Sequence, residues 1–243
     1  MVFFSAIHSE LIKTKHTPFM ALHVIVPLMG TLLFMLYYSL YANVSDTEKL
    51  NLILEITSTI FPLLISVIVG MNVASEEKAS HFQTLLAVRS RSKLLLAKLI
   101  VLYGAGLTSL FFMFTLFGFG ISFMKLTSGL QFNMFIQAVI GFAFCNLILY
   151  IFHLFLNLKF GLGISFLWGV FECLQSILYS NIELRGIWRY IPFAWSINWV
   201  HDTLHHKLAA YAVQWWLIAI LTVCILLLIM RWFSYWEGRK NYE

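Results

Sequence analysis

Three places in this chain combine residue types that can do chemistry. Glu76 and Glu77 stand side by side at the end of an apolar run, followed by Lys78 and then by Arg89, Arg91, Lys93 and Lys98. The segment His201-Asp202-Thr203-Leu204-His205 carries two imidazoles at i, i+4, the spacing that lets one helix face grip zinc. Glu55 and Glu172 lie inside apolar runs, where a carboxylate is expensive and usually faces a cavity, a partner or a proton. The zinc-protease form of the histidine pair has Glu in second place, because its carboxylate must reach the bound water. Asp202 is one methylene shorter, and His206 is the one further imidazole nearby. An interfacial histidine cluster is therefore expected, with no metal and no catalytic residue. Glu55 falls within about one helical turn of the end of its run, so it is expected to be wet. Glu172 falls about 18 Å into its own run at ~1.5 Å per residue, deep enough that pairing or neutralisation at a subunit interface is expected. Asn146 and Gln137 are weaker candidates for interhelical hydrogen bonds.

The elements that must position these groups are membrane helices. Apolar residues make up 60% of the 243 and charged residues 11%, with mean hydropathy +0.84. A soluble domain carries roughly 25% charged residues. The basic residues are not gathered in one run, which argues against a nucleic-acid face. Cys145, Cys173 and Cys224 all sit in apolar stretches without ligand spacing, which argues against disulfides and zinc. A helix crosses the hydrocarbon with roughly 20 apolar residues. Six segments qualify, at about residues 19–41, 52–74, 94–118, 132–156, 161–179 and 211–233. The first is too long for a signal-peptide core, so it is expected to remain as a span. No repeat or soluble domain interrupts the chain, and residues 1–243 read as one membrane domain.

Six spans put both termini on one side. That side holds Lys13, Lys15, Lys78, Arg89, Arg91, Lys93, Lys98, Lys159, Arg231, Arg239 and Lys240; the other holds Lys49, Lys125, Arg185, Arg189 and Lys207. The excess predicts cytoplasmic termini. Trp215 and Trp216 at one end of the last span, and Trp232 and Trp236 at the other, match interfacial belts. The fourth and fifth spans are expected to be joined by residues 157–160. Two connections have room for structure, the inner one at 75–93 and the outer one at 180–210.

In the inner connection, Ser80 followed by Gln83 is a capping-box pattern. It predicts a short helix over 81–88 with Phe82, Leu85 and Leu86 on one face, ended by the basic run. Acids at its leading end and an apolar stripe suit docking to a soluble partner, against the plainer reading of a solvated loop with snorkelling bases. At the N-terminus, Phe3, Phe4, Ile7 and Leu11 share a helical face, and Pro18 separates this piece from the first span. An interfacial amphipathic helix over 1–17 is expected. The outer connection mixes Trp188, Tyr190, Pro192, Trp195 and Trp199 with apolar residues. It is expected to lie in the outer interface, either as an aromatic girdle or as a place where an amphipathic molecule is met.

These features together resemble a known family. S-E-L-I-K-T-K-H-T (residues 9–17) leads into the first span, G-M-N-V-A-S-E-E-K (70–78) ends the second, and S-R-S-K…A-K (90–98) enters the third. The chain resembles the permease subunits of type-2 ABC exporters, most nearly those that protect lantibiotic producers from their own peptide. The resemblance implies an all-α polytopic membrane protein with six transmembrane helices. It adds an N-terminal interfacial helix, a cytoplasmic coupling helix between spans two and three, and short external helices between spans five and six, on residues 181–206. It implies that Glu76, Glu77, His81, Phe82, Leu85, Leu86 and Arg89 meet a separate ABC ATPase dimer. It also implies a second permease subunit, the same or different, in the bacterial plasma membrane. Glu55, Glu172, Trp188, Trp195 and Trp199 are the candidates for contact with a lantibiotic-like peptide. The sequence has no G-x-x-x-x-G-K-[ST] phosphate loop, so no P-loop nucleotide site is expected here; ATP and magnesium belong to the partner, and the chain is not itself an enzyme.

Two alternatives stand beside this. Paired glutamates at a membrane face also resemble intramembrane CAAX-type proteases. Those carry Arg at the fourth place after the pair, where this chain has His81, and His153 would join only at matching depth. The other alternative is an immunity protein that binds the peptide without transporting it.

Overall fold

The computed structural model describes residues 2–15, 17–40, 45–88, 90–123, 132–179, 187–204 and 212–239. Among them no strand occurs. The helices are α1 (Val2–Thr14), α2 (Pro18–Leu40), α3 (Asp46–Ser80), α4 (Gln83–Leu86), α5 (Arg91–Phe123), α6 (Phe132–Phe160), α7 (Leu162–Tyr179), α8 (Trp195–Leu204) and α9 (Ala212–Tyr235). Two 3₁₀ turns, Ile187–Tyr190 and Pro192–Ala194, precede α8.

Among the described residues, five helices are long and apolar enough to cross a membrane: Pro18–Leu40, Glu48–Ser80, Arg91–Ile121, Ile136–Phe160 and Trp215–Tyr235. The stretch Leu162–Leu178 is apolar but shorter. Five of the six expected spans fall on these helices, and the expected fifth, at 161–179, falls on the shorter α7. Several helices outrun the expected boundaries. α3 has 35 residues, about 50 Å at ~1.5 Å per residue, against a hydrocarbon core of roughly 30 Å. Its start is set by Ser45, whose Oγ accepts from Glu48 N (3.3 Å) while Ser45 N donates to the Glu48 carboxylate (3.1 Å). This capping box satisfies two orphan donors at once.

α3 and α6 form the centre. α3 packs along α7, α6 and α8; α5 packs against α2 and α1. The α3–α7 crossing is close because Gly169 offers no Cβ: one placed there would come within 2.7 Å of the Ser66 side chain and 3.3 Å of Leu63 Cα. The expected four-residue link between the fourth and fifth spans is a single residue. α6 stays helical through Phe160, and Gly161 turns the chain at φ +97°, a conformation that suits glycine. The outward faces of α2, α7 and α9 are apolar and exposed, as with Leu32, Leu33, Leu167, Leu174, Leu227 and Leu228. With no water to pair backbone groups in hydrocarbon, uninterrupted helices of this kind are what a bilayer accepts.

The aromatic segment before α9 is more enclosed than a displayed girdle would be. Trp188 and Trp195 are buried, and Trp199 is half-buried. Trp199 donates its indole N–H to Gln137 O (3.0 Å) and meets Trp215 edge-on at 4.1 Å between ring centroids. The aromatics here are packing core between α6, α8 and α9 rather than a displayed girdle; Tyr190 alone of the five residues singled out is largely exposed, at 83%. The parts of 181–206 at 181–186 and 205–206 lie outside the described residues.

Candidate functional site

The two adjacent glutamates point into two different networks. Glu76 is buried and accepts from Lys13 Nζ (2.8 Å) on α1, and its same oxygen lies 3.0 Å from Lys98 Nζ on α5. Lys98 also donates to Glu10 Oε2 (2.7 Å) and to Asn72 Oδ1 (2.9 Å), and Lys13 donates to Glu10 Oε1 (2.5 Å). Two acids and two ammonium groups close a cluster that ties α1, α3 and α5 together. Glu10 and Lys98 are 1% and 2% exposed, so each of these two buried charges depends on its partners. Burial pushes the Glu10 carboxyl up, but the Lys98 ammonium and hydrogen bonds from Lys13 and Lys98 outweigh it and hold the group below its ordinary value. For Lys13, burial acts downward, and Glu76 and Glu10 overcome it to raise the group.

Glu77 faces the other way. Both of its oxygens accept from Arg239 Nη1, at 2.8 and 2.9 Å. Arg239 Nη2 donates to Asn157 O at the end of α6 (2.7 Å), and its guanidinium lies 5.4 Å from the Phe82 ring centroid. Phe82 in turn meets Trp236 edge-on at 5.2 Å. Arg91 donates to Trp236 O (2.7 Å). The chain after α9 thus returns beneath the turn between α3 and α5.

That turn is not the capped helix expected from the sequence. Ser80 is the last residue of α3; its Oγ approaches Glu76 O and Thr84 Oγ. The next element caps on Phe82, with no side-chain cap. His81 and Phe82 are both left-handed, at φ 45° and 66°, which non-glycine residues rarely adopt. Burial of Phe82 and Leu85, at 2% and 1% exposed, holds the turn there. The stripe expected to meet a partner is therefore turned inward, with Leu86 partly buried beside it. The exposed rim is Lys78, Ala79, His81, Gln83, Thr84, Ala87 and Val88. Arg89 lies outside the described residues.

Glu172 is 1% exposed. It lies 2.8 Å from His153 Nε2; His153 Nδ1 lies 2.9 Å from Ser165 Oγ, to which Asn157 Nδ2 donates (2.7 Å). One consistent order has Asn157 donating to Ser165, Ser165 to His153 and His153 to Glu172. The pairing expected at a subunit interface is made inside this chain. A serine, a histidine and a glutamate in line suggest a hydrolase, but Ser165 and His153 are both 0% exposed, so no substrate reaches the hydroxyl. His153 is committed to Glu172 and Ser165, while Glu76 Oε1 meets Lys13 and Lys98 and both Glu77 oxygens meet Arg239. Glu55 is half-buried near the start of α3, and Thr59 donates to its carbonyl (2.9 Å). His201 is on α8; His205 and His206 lie outside the described residues.

Sequence reasoning missed Glu10, Trp236 and Arg239. Glu10 is the one acid of α1, three residues before Lys13, and Lys98 inside an apolar run called for a counter-ion. Arg239 carried no such signal.

A model of the ABC-2 family transporter proteins matches residues 6–172. The chain belongs to the ABC-2 transporter family. The match runs from α1 to Glu172 and includes both glutamates; Trp236 and Arg239 lie beyond it. No curated protein and no solved structure matches the chain. Membership makes this a multi-pass membrane subunit of a transporter, not itself catalytic, and implies association with an ABC ATPase.

Proposed function

We propose that the chain is the permease of an ABC exporter that expels a lantibiotic-like amphipathic antimicrobial peptide from the bacterial plasma membrane, protecting its producer. In this reading α7 is a sixth span: its 18 residues reach about 27 Å at ~1.5 Å per residue. The end of the bundle carrying α1, α4 and residues 236–239 is then cytoplasmic, in line with the Lys/Arg excess. ATP and magnesium are held by a separate ATPase dimer, and a second permease, the same or different, completes the path.

The observation that carries this reading is the α3–α5 turn. Its buried Phe82 and Leu85 fix it to the bundle, while its rim from Lys78 to Val88 stays open. A short element backed by α5 and by Trp236 and Arg239 of the tail is suited to transmit a push without deforming, as coupling to an ATPase requires. The peptide as cargo rests on the resemblance of residues 9–17, 70–78 and 90–98 to lantibiotic-protection permeases. The experiment is co-expression with the ATPase, with Thr84→Glu plus Val88→Glu as the variant. Both side chains are exposed, so the fold is expected to survive while ATPase co-purification and lantibiotic resistance are lost. Retention of the ATPase by this variant would sink the coupling assignment. Resistance that persists without any ATPase would sink export in favour of direct peptide binding.

A further inference from the structure

An open cavity of about 860 Å³ lies where α6 and α9 end, beside the tail that follows α9. Lys159 and Phe160, at the end of α6, form one side. Leu228, Arg231, Trp232 and Tyr235 form another; their i, i+3, i+4, i+7 spacing puts them on one face of α9. The tail from Trp236 to Arg239 closes the third. None of these residues belongs to the exposed rim of the coupling turn.

The charges on this wall are unevenly spent. Arg239 gives its N–H groups to both Glu77 oxygens and to Asn157 O. Lys159 and Arg231 are exposed, and neither side chain makes an ion pair among the described residues. The Lys159 ammonium lies 5.4 Å from the Phe155 ring centroid and 5.0 Å from that of Phe160, contacts that hold a cation without neutralising it. Glu237 is the one acid on the wall, and it pairs with neither cation. Two cations from two different helices therefore face one open space.

The surroundings give the depth. Arg231 stands four residues before the end of α9, about 6 Å at ~1.5 Å per residue. Trp232 and Tyr235 flank it, the residue types that sit at headgroup level. Leu217, Leu221 and Leu228 are exposed and run along the same side of α9 at spacings of four and seven, so an apolar track leads from the hydrocarbon to the cavity.

We propose that this cavity binds the phosphodiester headgroup of an anionic phospholipid, with Lys159 and Arg231 donating to its oxygens and an acyl chain lying along Leu228, Leu221 and Leu217. A guanidinium fork and an ammonium point charge are the two donors suited to phosphate. Basic pockets between membrane helices suit anionic headgroups. A choline headgroup would bring a third cation to two that already lack a counter-ion. The apolar track favours a lipid over free phosphate or an acidic peptide. The site depends neither on the cargo nor on which side of the membrane this end occupies.

The test uses the full chain in dodecyl maltoside with a trace of phosphatidylglycerol carrying a diazirine in its acyl chain. Photolabelling and peptide mapping are expected to place adducts on α9 around Leu228 and on the end of α6. Unlabelled phosphatidylglycerol is expected to compete at least about ten-fold better than phosphatidylcholine, the scale of two basic side chains meeting an anionic headgroup. Lys159→Gln with Arg231→Gln is expected to erase that preference, and Glu237→Gln to strengthen it. Lys15→Gln with Lys78→Gln takes the same charge from exposed positions off the cavity and is expected to leave it unchanged. Equal competition by the two lipids, adducts spread evenly over α2, α7 and α9, or equal loss in both double variants would overturn the proposal. So would weakening by Glu237→Gln. Competition by inorganic phosphate or a soluble oligoglutamate as strong as by phosphatidylglycerol would overturn the lipid as occupant. The comparison of lipids and the adduct map need no variant, so they decide even if a substituted chain does not fold.

Discussion

Replacing Lys98 by Met removes one ammonium from the cluster of Glu10, Glu76, Lys13 and Lys98 while roughly keeping volume. Lys98 makes three of the cluster's short contacts: 2.7 Å to Glu10, 2.9 Å to Asn72 and 3.0 Å to Glu76. Its loss leaves two carboxylates, at 1% and 5% exposed, to share Lys13, which is about a third exposed. Breaking a buried ion pair from one side costs about 3–5 kcal/mol, because a charge is left without its partner. For a chain of this size that corresponds to a fall in thermal midpoint of roughly 6–20 °C, at ~2–4 °C per kcal/mol. Adding Glu10→Leu removes the stranded carboxylate and restores one-to-one pairing of Glu76 with Lys13. The double variant is therefore expected to recover at least half of the loss, since swapping a buried pair for apolar groups is often neutral. The assay is thermal unfolding in one detergent for the parent, both single variants and the double variant. If Lys98→Met shifts the midpoint by no more than a surface substitution does, or if the two losses simply add, the cluster is not the interdependent unit described here.

Four further outcomes follow from the same geometry. Phe82→Ala is expected to cost about 3–5 kcal/mol and to expose the tail from Trp236 to protease, measured by thermal unfolding and limited proteolysis; an unchanged cleavage pattern would contradict the packing of Phe82 on Trp236. Arg239→Lys keeps the charge but loses the fork that reaches Glu77 and Asn157 together, so it is expected to fall near Arg239→Gln, not near the parent, in the same melt. Gly161→Ala places a side chain at φ +97° and 3.0 Å from Arg239 Nη1, and is expected to destabilise by at least about 1 kcal/mol. The docking of α1 is expected to depend on pH in a definite sense. Glu10 is held below its ordinary 4.5, so its contribution is present above that pH and is lost as pH falls through the lower folded value. Lys13 is raised above its ordinary 10.5, so its contribution is present below that pH and is lost as pH rises further. A fluorophore on α1 should report a plateau between these limits; release of α1 near neutrality would refute the assignment.

The membrane class and the long helices were legible because apolar runs and the need to pair every backbone group leave few solutions. Helix ends were less legible. α3 and α6 extend past their apolar runs, α3 into polar residues at both ends and α6 through Asn157 and Lys159, and helical propensity with a cap carries them where hydropathy stops. The turn after α3 misled for a specific reason. Ser80 and Gln83 have capping-box spacing, but burial of Phe82 forces His81 and Phe82 into left-handed backbone and moves the helix start past Ser80. The apolar stripe Phe82–Leu85–Leu86 was correctly grouped, yet periodicity cannot say whether such a face meets its own chain or another. Glu172 was legible as a buried acid that must be paired; its partner His153 lies on a different helix, and sequence spacing holds no sign of that contact.

Neighbouring residues Glu76 and Glu77 anchor opposite ends of the chain, one through Glu10 and Lys13, the other through Arg239. The turn made by residues 76–86 is consequently complete only when residues 236–239 are docked on it. Cutting the chain after Tyr235 would keep helices α1 to α9 yet take Arg239 from Glu77 and Trp236 from Phe82. A partner that reads this turn would therefore also sense, at one remove, whether the segment after α9 is in place.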